Sequence, residues 1–119
     1  MSKQKEKITI YHNTRCTKSR EACSILDEKG VPFETIEYLK TPLNQTEIKA
    51  LLKKLNIKAE ELVRKSEPLF KEKYASKKLT EAQWIKIFSE NPILIERPIL
   101  VKGNKAIIGR PVERVIEFI

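Results

Sequence analysis

The chain has 119 residues, the length of one globular domain, and a formal net charge of +8 from 24 basic and 16 acidic residues. Hydrophobic residues make up 40% of it, and no apolar run approaches the roughly 18 residues of a membrane-spanning helix, which argues against a membrane protein. Two cysteines and one histidine do not suit a structural zinc site or a disulfide-rich secreted domain. Because residues 1–7 are basic and lack the apolar core of a signal peptide, we expect a cytoplasmic protein.

The first third of the chain has the pattern of a strand, a helix and a second strand. Residues 7–12 predict the first strand, and residues 17–29 predict a helix that ends at Gly30. Residues 33–39 alternate in hydrophobicity and predict the second strand. A helical connection of this kind makes the two strands parallel, and it places Cys16 at the carboxyl end of the first strand, where open α/β sheets bind ligands.

The middle of the chain, residues 46–90, is predicted to be helical throughout. Its first helix opens near Thr46, and either Asn44 or Thr46 is expected to cap it. Further helices are expected near residues 59–63, at residues 68–74 and from Thr80 onward. In the last of these helices the residues predicted to face inward are Trp84, Ile85 and Phe88.

The last part of the chain returns to strands. Residues 99–101 and 106–108 flank the turn at residues 102–105 and predict an antiparallel hairpin, and a short helix is expected after Pro111. This order predicts an α/β thioredoxin-like fold, with a mixed four-stranded sheet and a helical insertion between the second and third strands. We expect residues 1–119 to form one domain, with the insertion at approximately residues 46–90.

Cys16 is the strongest candidate for chemistry because it lies at the junction between the first strand and the first helix. Backbone N–H groups at a helix start carry the positive end of the helix dipole and favour a thiolate. Arg15, Lys18 and Arg20 add positive charge nearby. A nucleophile that attacks an anionic substrate is therefore predicted, rather than a cysteine that only packs in the core.

Three residues around Cys16 have predicted roles. Ser19 falls in the first helical turn, where its hydroxyl could donate a hydrogen bond to the Cys16 sulfur. His12 could either hold a positive charge near the sulfur or orient the loop through a hydrogen bond. Cys23 occupies an expected core position and is predicted to pack there, so any redox reaction at Cys16 needs an external reductant.

Arginines at the junctions of apolar segments are the candidate anion ligands. Most basic residues in this chain are lysine, whereas arginine offers the fork of donors that suits an oxyanion. Ordinary surface ion pairs are the alternative role for these arginines. Pro98 could form a cis peptide bond facing the cysteine loop. The arginines in question are Arg64, Arg97 and Arg110.

Together, these motifs resemble the glutaredoxin-coupled arsenate reductase family. They span almost the whole chain in the family's order and comprise residues 8–13 with Cys16, Ser19 and Arg20, residues 62–65 with Glu67 and Pro68, residues 90–99, and residues 108–111.

The resemblance implies reduction of arsenate to arsenite through a covalent intermediate between arsenic and the cysteine, with arsenate or a similar small oxyanion as the partner. In the family the cysteine attacks arsenate, so Cys16 is the implied nucleophile, and His12 and Ser19 are implied to hold it as a thiolate. Glutathione and glutaredoxin act as external reductants, with no bound cofactor or metal. The residues implied to bind the oxyanion are Arg64, Arg97 and Arg110.

Two other functions remain open from the sequence. Spx-type regulators, which bind RNA polymerase and respond to oxidation, share this fold, but they characteristically carry C-x-x-C where this chain has Cys16 and Ser19. A thiol oxidoreductase that never meets arsenate would need the same reactive cysteine. Lysines interleaved with glutamates favour a solvated surface over a nucleic-acid face, so we do not expect a nucleic-acid partner. Because the chain has no long apolar run, we do not expect a membrane partner either.

Overall fold

A computed structural model describes residues 7–119, so residues 1–6 of the basic N-terminal segment lie outside the described residues. No helix of the described part is long and apolar enough to cross a membrane. The chain divides into two compact units. The first comprises the chain up to Tyr38 together with Arg97–Ile119, and the second comprises Leu39–Glu96.

The helices and strands follow the predicted order. The strands are β1 (Ile8–Tyr11), β2 (Phe33–Ile36), β3 (Ile99–Lys102) and β4 (Lys105–Ile108). The helices are α1 (Thr17–Glu28), α2 (Gln45–Leu55), α3 (Ala59–Leu62), α4 (Pro68–Lys73), α5 (Glu81–Glu90) and α6 (Glu113–Phe118), with a 3₁₀ turn at Pro92–Leu94.

The first unit contains a four-stranded mixed sheet in the order β2-β1-β3-β4. β1 pairs in parallel with β2 and antiparallel with β3, and β3 forms the predicted antiparallel hairpin with β4. Together with the helical segment between β2 and β3 in the chain, this is the α/β thioredoxin-like fold that the sequence predicts.

Helix α1 begins at the predicted Thr17 and ends at Glu28, one residue before the predicted end. Cys16 is its N-cap, with extended backbone angles (φ −95°, ψ 120°). At the other end Gly30 adopts a left-handed conformation (φ 65°), which glycine accepts without steric cost. The N–H of Gly30 donates to the Asp27 carbonyl at 3.1 Å and that of Val31 to the Leu26 carbonyl at 3.0 Å, which is a Schellman motif.

The core of the first unit fixes α1 on the sheet. Ile8 and Ile10 of β1, Leu100 of β3 and Leu26 of α1 are fully buried in one cluster. Burying a side chain of this size contributes about 1.5–3 kcal/mol. Cys23 is partly buried and packs against the same cluster, as expected of a packing cysteine.

The second unit is built from α2 to α5. Asn44, one of the two predicted caps, begins α2: its Oδ1 accepts from the Glu47 N–H at 2.8 Å, and the Glu47 carboxylate accepts from the Asn44 N–H at 3.0 Å. Thr80 caps α5, whose predicted inward residues are all buried. The aromatic rings that pack around Trp84 in this unit belong to Phe70, Tyr74 and Phe88.

Candidate active site

The loop between β1 and α1 is held by one buried asparagine, Asn13. Its carbonyl accepts the Cys16 N–H at 2.9 Å, and its side-chain Oδ1 accepts the Arg15 N–H at 3.0 Å. Its own N–H donates to the Ser19 hydroxyl at 3.4 Å. From the sequence, Asn13 had no predicted role of its own. The signal that could have identified it is the asparagine side chain, which often accepts a hydrogen bond from the backbone N–H two residues later in a turn.

Cys16 is a buried free cysteine, 7% exposed, with a lowered pKa. Burial raises the pKa of its thiol, but the backbone N–H of Ser19, the hydrogen bond and charge of Arg97, and the backbone N–H of Lys18 outweigh that effect. The resulting pKa is about 7. A large fraction of Cys16 is therefore thiolate at neutral pH, as the helix start predicts.

The cation that acts on Cys16 comes from a distant part of the sequence. Arg97 is buried, 7% exposed, and it immediately precedes Pro98, whose peptide bond is cis. The cations next to Cys16 in sequence have other contacts: the Lys18 ammonium pairs with Glu21 at 3.7 Å, and Arg20 Nη2 donates to the Thr17 hydroxyl at 3.4 Å.

Ser19 is fully buried and acts on Cys16 through its main chain. Its N–H favours the Cys16 thiolate, while its hydroxyl oxygen accepts the hydrogen bond from Asn13. The donation by its hydroxyl remains a prediction.

His12 is buried, and its ring faces Cys23: the distance from Nδ1 to the Cys23 Sγ is 3.8 Å. Burial lowers the pKa of His12; the carboxylate of Glu37 opposes this and Arg20 adds to it. A histidine with a pKa below its ordinary value is neutral at pH 7. Of the two predicted roles, this favours orientation through a hydrogen bond over a resident positive charge.

Strand pairing brings Arg97 and Arg110 to the same end of the β3–β4 hairpin. Ile99 pairs with Ile108, and the Gly109 N–H donates to the Pro98 carbonyl at 2.8 Å. The carboxyl end of β1 lies at this end too, because Tyr11 pairs with Ile99.

Arg64 belongs to the second unit and is fixed there by its main chain and side chain. Its N–H donates to the Leu94 carbonyl at 2.7 Å, beside the bridge between Val63 and Ile95. Its Nη1 pairs with the Glu67 carboxylate at 3.0 Å. Its Nε is buried and has no hydrogen-bond partner among residues 7–119. A role in oxyanion binding remains a prediction for Arg64.

A metal centre finds no support in the part of the chain that the structure describes. No group of three or more histidine, cysteine, aspartate or glutamate side chains within residues 7–119 could hold an ion. The chemistry available at Cys16 is that of a lowered-pKa thiol beside a buried guanidinium.

Known proteins resemble this chain over almost its whole length. The model of the ArsC family matches residues 11–118. An uncharacterized protein of Escherichia coli, YfgD, is 46% identical over 100% of this chain and 99% of its own length. The arsenate reductase of Haemophilus influenzae is 38% identical over 94% of this chain and 98% of its own. The structure of an arsenate reductase from Vibrio cholerae superimposes with a TM-score of 0.90 at 35% identity and covers 97% of this chain and 99% of its own.

Proposed function

The chain belongs to the ArsC family, and we propose that it reduces arsenate to arsenite with Cys16 as the nucleophile. The observation that carries the proposal is the buried Arg97 side chain hydrogen-bonded to Cys16 at the start of α1, a setting that lowers the pKa of Cys16 to about 7. A thiolate that is populated at neutral pH can attack, and a guanidinium beside it can hold the anion that is attacked. The names of the relatives from Haemophilus influenzae and Vibrio cholerae support arsenate as that anion.

The first step forms a bond between sulfur and arsenic. The Cys16 thiolate attacks the arsenic atom of arsenate, one As–O bond breaks, and the oxygen leaves as hydroxide that takes a proton to become water. The product is a Cys16–S–As(V) adduct, with no change yet in oxidation state. The arginines stabilise the negative charge on the arsenate oxygens while the bond forms. The arginines proposed for this role are Arg97 and Arg110, which belong to the same unit as Cys16.

The second step reduces the arsenic and needs thiols from outside the chain. The thiolate of glutathione attacks the Cys16 sulfur, and the electron pair of the S–As bond leaves with arsenic, which departs as arsenite. Cys16 and glutathione are then joined in a mixed disulfide. A glutaredoxin thiolate attacks the glutathione sulfur and Cys16 leaves as a thiolate; a second glutathione then releases glutaredoxin and forms oxidised glutathione. No bound cofactor takes part. A reducing compartment such as the cytoplasm supplies these thiols.

Cys23 is not proposed as the resolving thiol. Burial, with a contribution from Asp27, raises the pKa of Cys23, so it is a poor thiolate at neutral pH. It lies seven residues after Cys16 on the same helix, about 10 Å along the axis. A disulfide between the two would require that helix to open.

The test is arsenate-dependent NADPH oxidation in the presence of glutathione, glutathione reductase and glutaredoxin. We expect turnover by the wild-type protein, its loss in Cys16→Ser and its retention in the matched variant Cys23→Ser. Absence of turnover in the wild type, or turnover that survives Cys16→Ser, contradicts the proposal. Activity on a glutathione mixed disulfide without activity on arsenate would instead identify a thiol oxidoreductase of another substrate class.

A further inference from the structure

Cys23 has no part in the proposed chemistry, yet its side chain contacts that of His12. The distance between Cys23 Sγ and His12 Nδ1 is 3.8 Å, within the range of a hydrogen bond to sulfur. His12 is only 9% exposed, and Cys23 packs against the core cluster of the first unit. The contact is part-buried, so water competes less for the two groups than it would at the surface.

The contact belongs to a stripe of α1 that faces the end of β1. Ser19 and Cys23 are four residues apart on the helix and so lie on one face, one turn from each other. They contact consecutive residues of the loop: the Ser19 hydroxyl accepts from the Asn13 N–H, and the Cys23 sulfur lies against the His12 ring. The backbone of His12 is fixed as well, because its N–H donates to the Ile36 carbonyl at 2.8 Å.

The hydrogen bond of this pair can run in either direction, and the tautomer of the ring sets which group donates. Burial lowers the pKa of His12, against Glu37 and with Arg20, so the ring is neutral at pH 7. Burial and Asp27 raise the pKa of Cys23, so its sulfur keeps its proton. In a neutral ring one nitrogen accepts and the other donates, whereas a thiol is a weak donor and a weak acceptor. Donation from the Cys23 S–H to Nδ1 uses the strong acceptor of the ring, whereas the opposite direction would use sulfur as a weak acceptor.

We propose that Cys23 is a positioning residue that donates its S–H to Nδ1 of His12 and thereby keeps the ring proton on Nε2. The ring then presents a single N–H donor on the side away from Cys23. If the proposed function holds, His12 acts at the cysteine loop through this Nε2–H donor and not as a cation. The tautomer itself does not depend on that function.

The chain offers a direct probe because His12 is its only histidine. In the protein labelled with ¹⁵N at histidine, long-range ¹H–¹⁵N correlations distinguish a protonated ring nitrogen from an unprotonated one. We expect the wild type at pH 7.5, without arsenate, to show one tautomer with an unprotonated Nδ1. In Cys23→Ala, which removes the donor, the Nδ1 signal should move toward the average of two tautomers.

Cys23→Ser is the matched control, since its hydroxyl restores a donor at the same position. Its spectrum should keep the wild-type tautomer, whereas a purely structural role for Cys23 predicts no change of tautomer in either variant. A wild-type ring with its proton on Nδ1, or an Ala variant with an unchanged ring spectrum, overturns the inference. Because these spectra need no substrate, a protein that fails to reduce arsenate can still confirm the tautomer, and an active protein can still refute it.

Discussion

At the scale of single residues, Cys16 is a thiol on which burial and hydrogen bonding act in opposite directions. Burial raises its pKa, and donors from Ser19, Arg97 and Lys18 bring it down to about 7. Of these donors, only Arg97 acts through its side chain, so it is the one that substitution can remove. The balance therefore gives a clear expectation for a single variant.

We expect Arg97→Gln to raise the pKa of Cys16 toward about 8.5, the value of an unperturbed cysteine. The measurement is the rate at which iodoacetamide alkylates Cys16, followed by mass spectrometry over a range of pH. In the wild type the rate should reach half of its maximum near pH 7, and this pH is the midpoint. The rate at pH 7 should fall only several-fold, because the more basic thiolate is also the better nucleophile. The midpoint is thus the decisive quantity.

Arg15→Gln is the control for this experiment. Arg15 adjoins Cys16 in sequence and its side chain is exposed, so loss of its charge should leave the midpoint in place. A midpoint that moves equally in both variants would mean that general positive charge, and not the contact with Arg97, lowers the pKa of Cys16.

At the scale of elements, the sequence predicts the order of helices and strands because each has a clear period and a clear end. The N-cap at Cys16 and the stop at Gly30 are local signals that need no tertiary information. β2 ends at Ile36, earlier than the predicted residue 39, because its partner β1 ends at Tyr11 and turns into the cysteine loop. The length of a strand depends on its neighbour, which a periodic pattern does not show.

The site was predictable in part for the same reason. Cys16 and Ser19 are close in sequence, and their placement at a helix start follows from local pattern. The action of Arg97 on Cys16 depends on the pairing of β1 with β3, and the contact of Cys23 with His12 depends on how α1 packs. Neither can be read from spacing, since both join segments through the tertiary fold.

Two glycines of the first unit are required for different reasons, Gly30 for its backbone conformation and Gly109 for the close packing around it. At Gly30 the conformation is left-handed and no atom lies within 4 Å of an added Cβ, so Gly30→Ala should cost roughly 1–2 kcal/mol of unfolding free energy from strain alone. At Gly109 an added Cβ would lie 2.9 Å from Val115 Cγ2 and 3.1 Å from both Leu100 Cδ1 and Pro98 Cγ. Overpacking of this kind costs roughly 1–3 kcal/mol.

We expect both variants to be less stable in urea denaturation, but only Gly109→Ala to raise the pKa of Cys16. The reason is that Gly109 packs on Pro98, next to Arg97, whereas Gly30 lies at the far end of α1. The alkylation midpoint of Cys16 and the unfolding free energy are measured on the same samples. An unshifted midpoint in a destabilised Gly109→Ala protein would show that the Arg97 contact tolerates movement of its support.

At the scale of the whole molecule, the net charge of +8 gives a field that attracts anions. Exposed lysines act on the site through water, where salt screens them over a Debye length of about 10 Å at 0.1 M. Arg97 is buried and hydrogen-bonded to Cys16, so salt screens its attraction for an anion much less. The attraction of an anionic reagent to Cys16 should therefore have one part that salt removes and one part that it does not.

The two parts of the attraction can be measured from the rates at which Cys16 is alkylated by iodoacetate, an anion, and by iodoacetamide, which is neutral. The ratio of the first rate to the second is the quantity compared. The fraction of thiolate cancels in the ratio, and comparison with a free cysteine peptide removes the intrinsic difference between the reagents, so only the attraction of the negative charge remains. Between about 10 mM and about 0.5 M salt the ratio should fall several-fold and then level off above the value for a free cysteine peptide. In Arg97→Gln the plateau should drop to the peptide value while the fall with salt persists. A ratio that does not depend on salt would mean that the surface lysines contribute nothing to the capture of anions, and that the buried arginine alone recruits them.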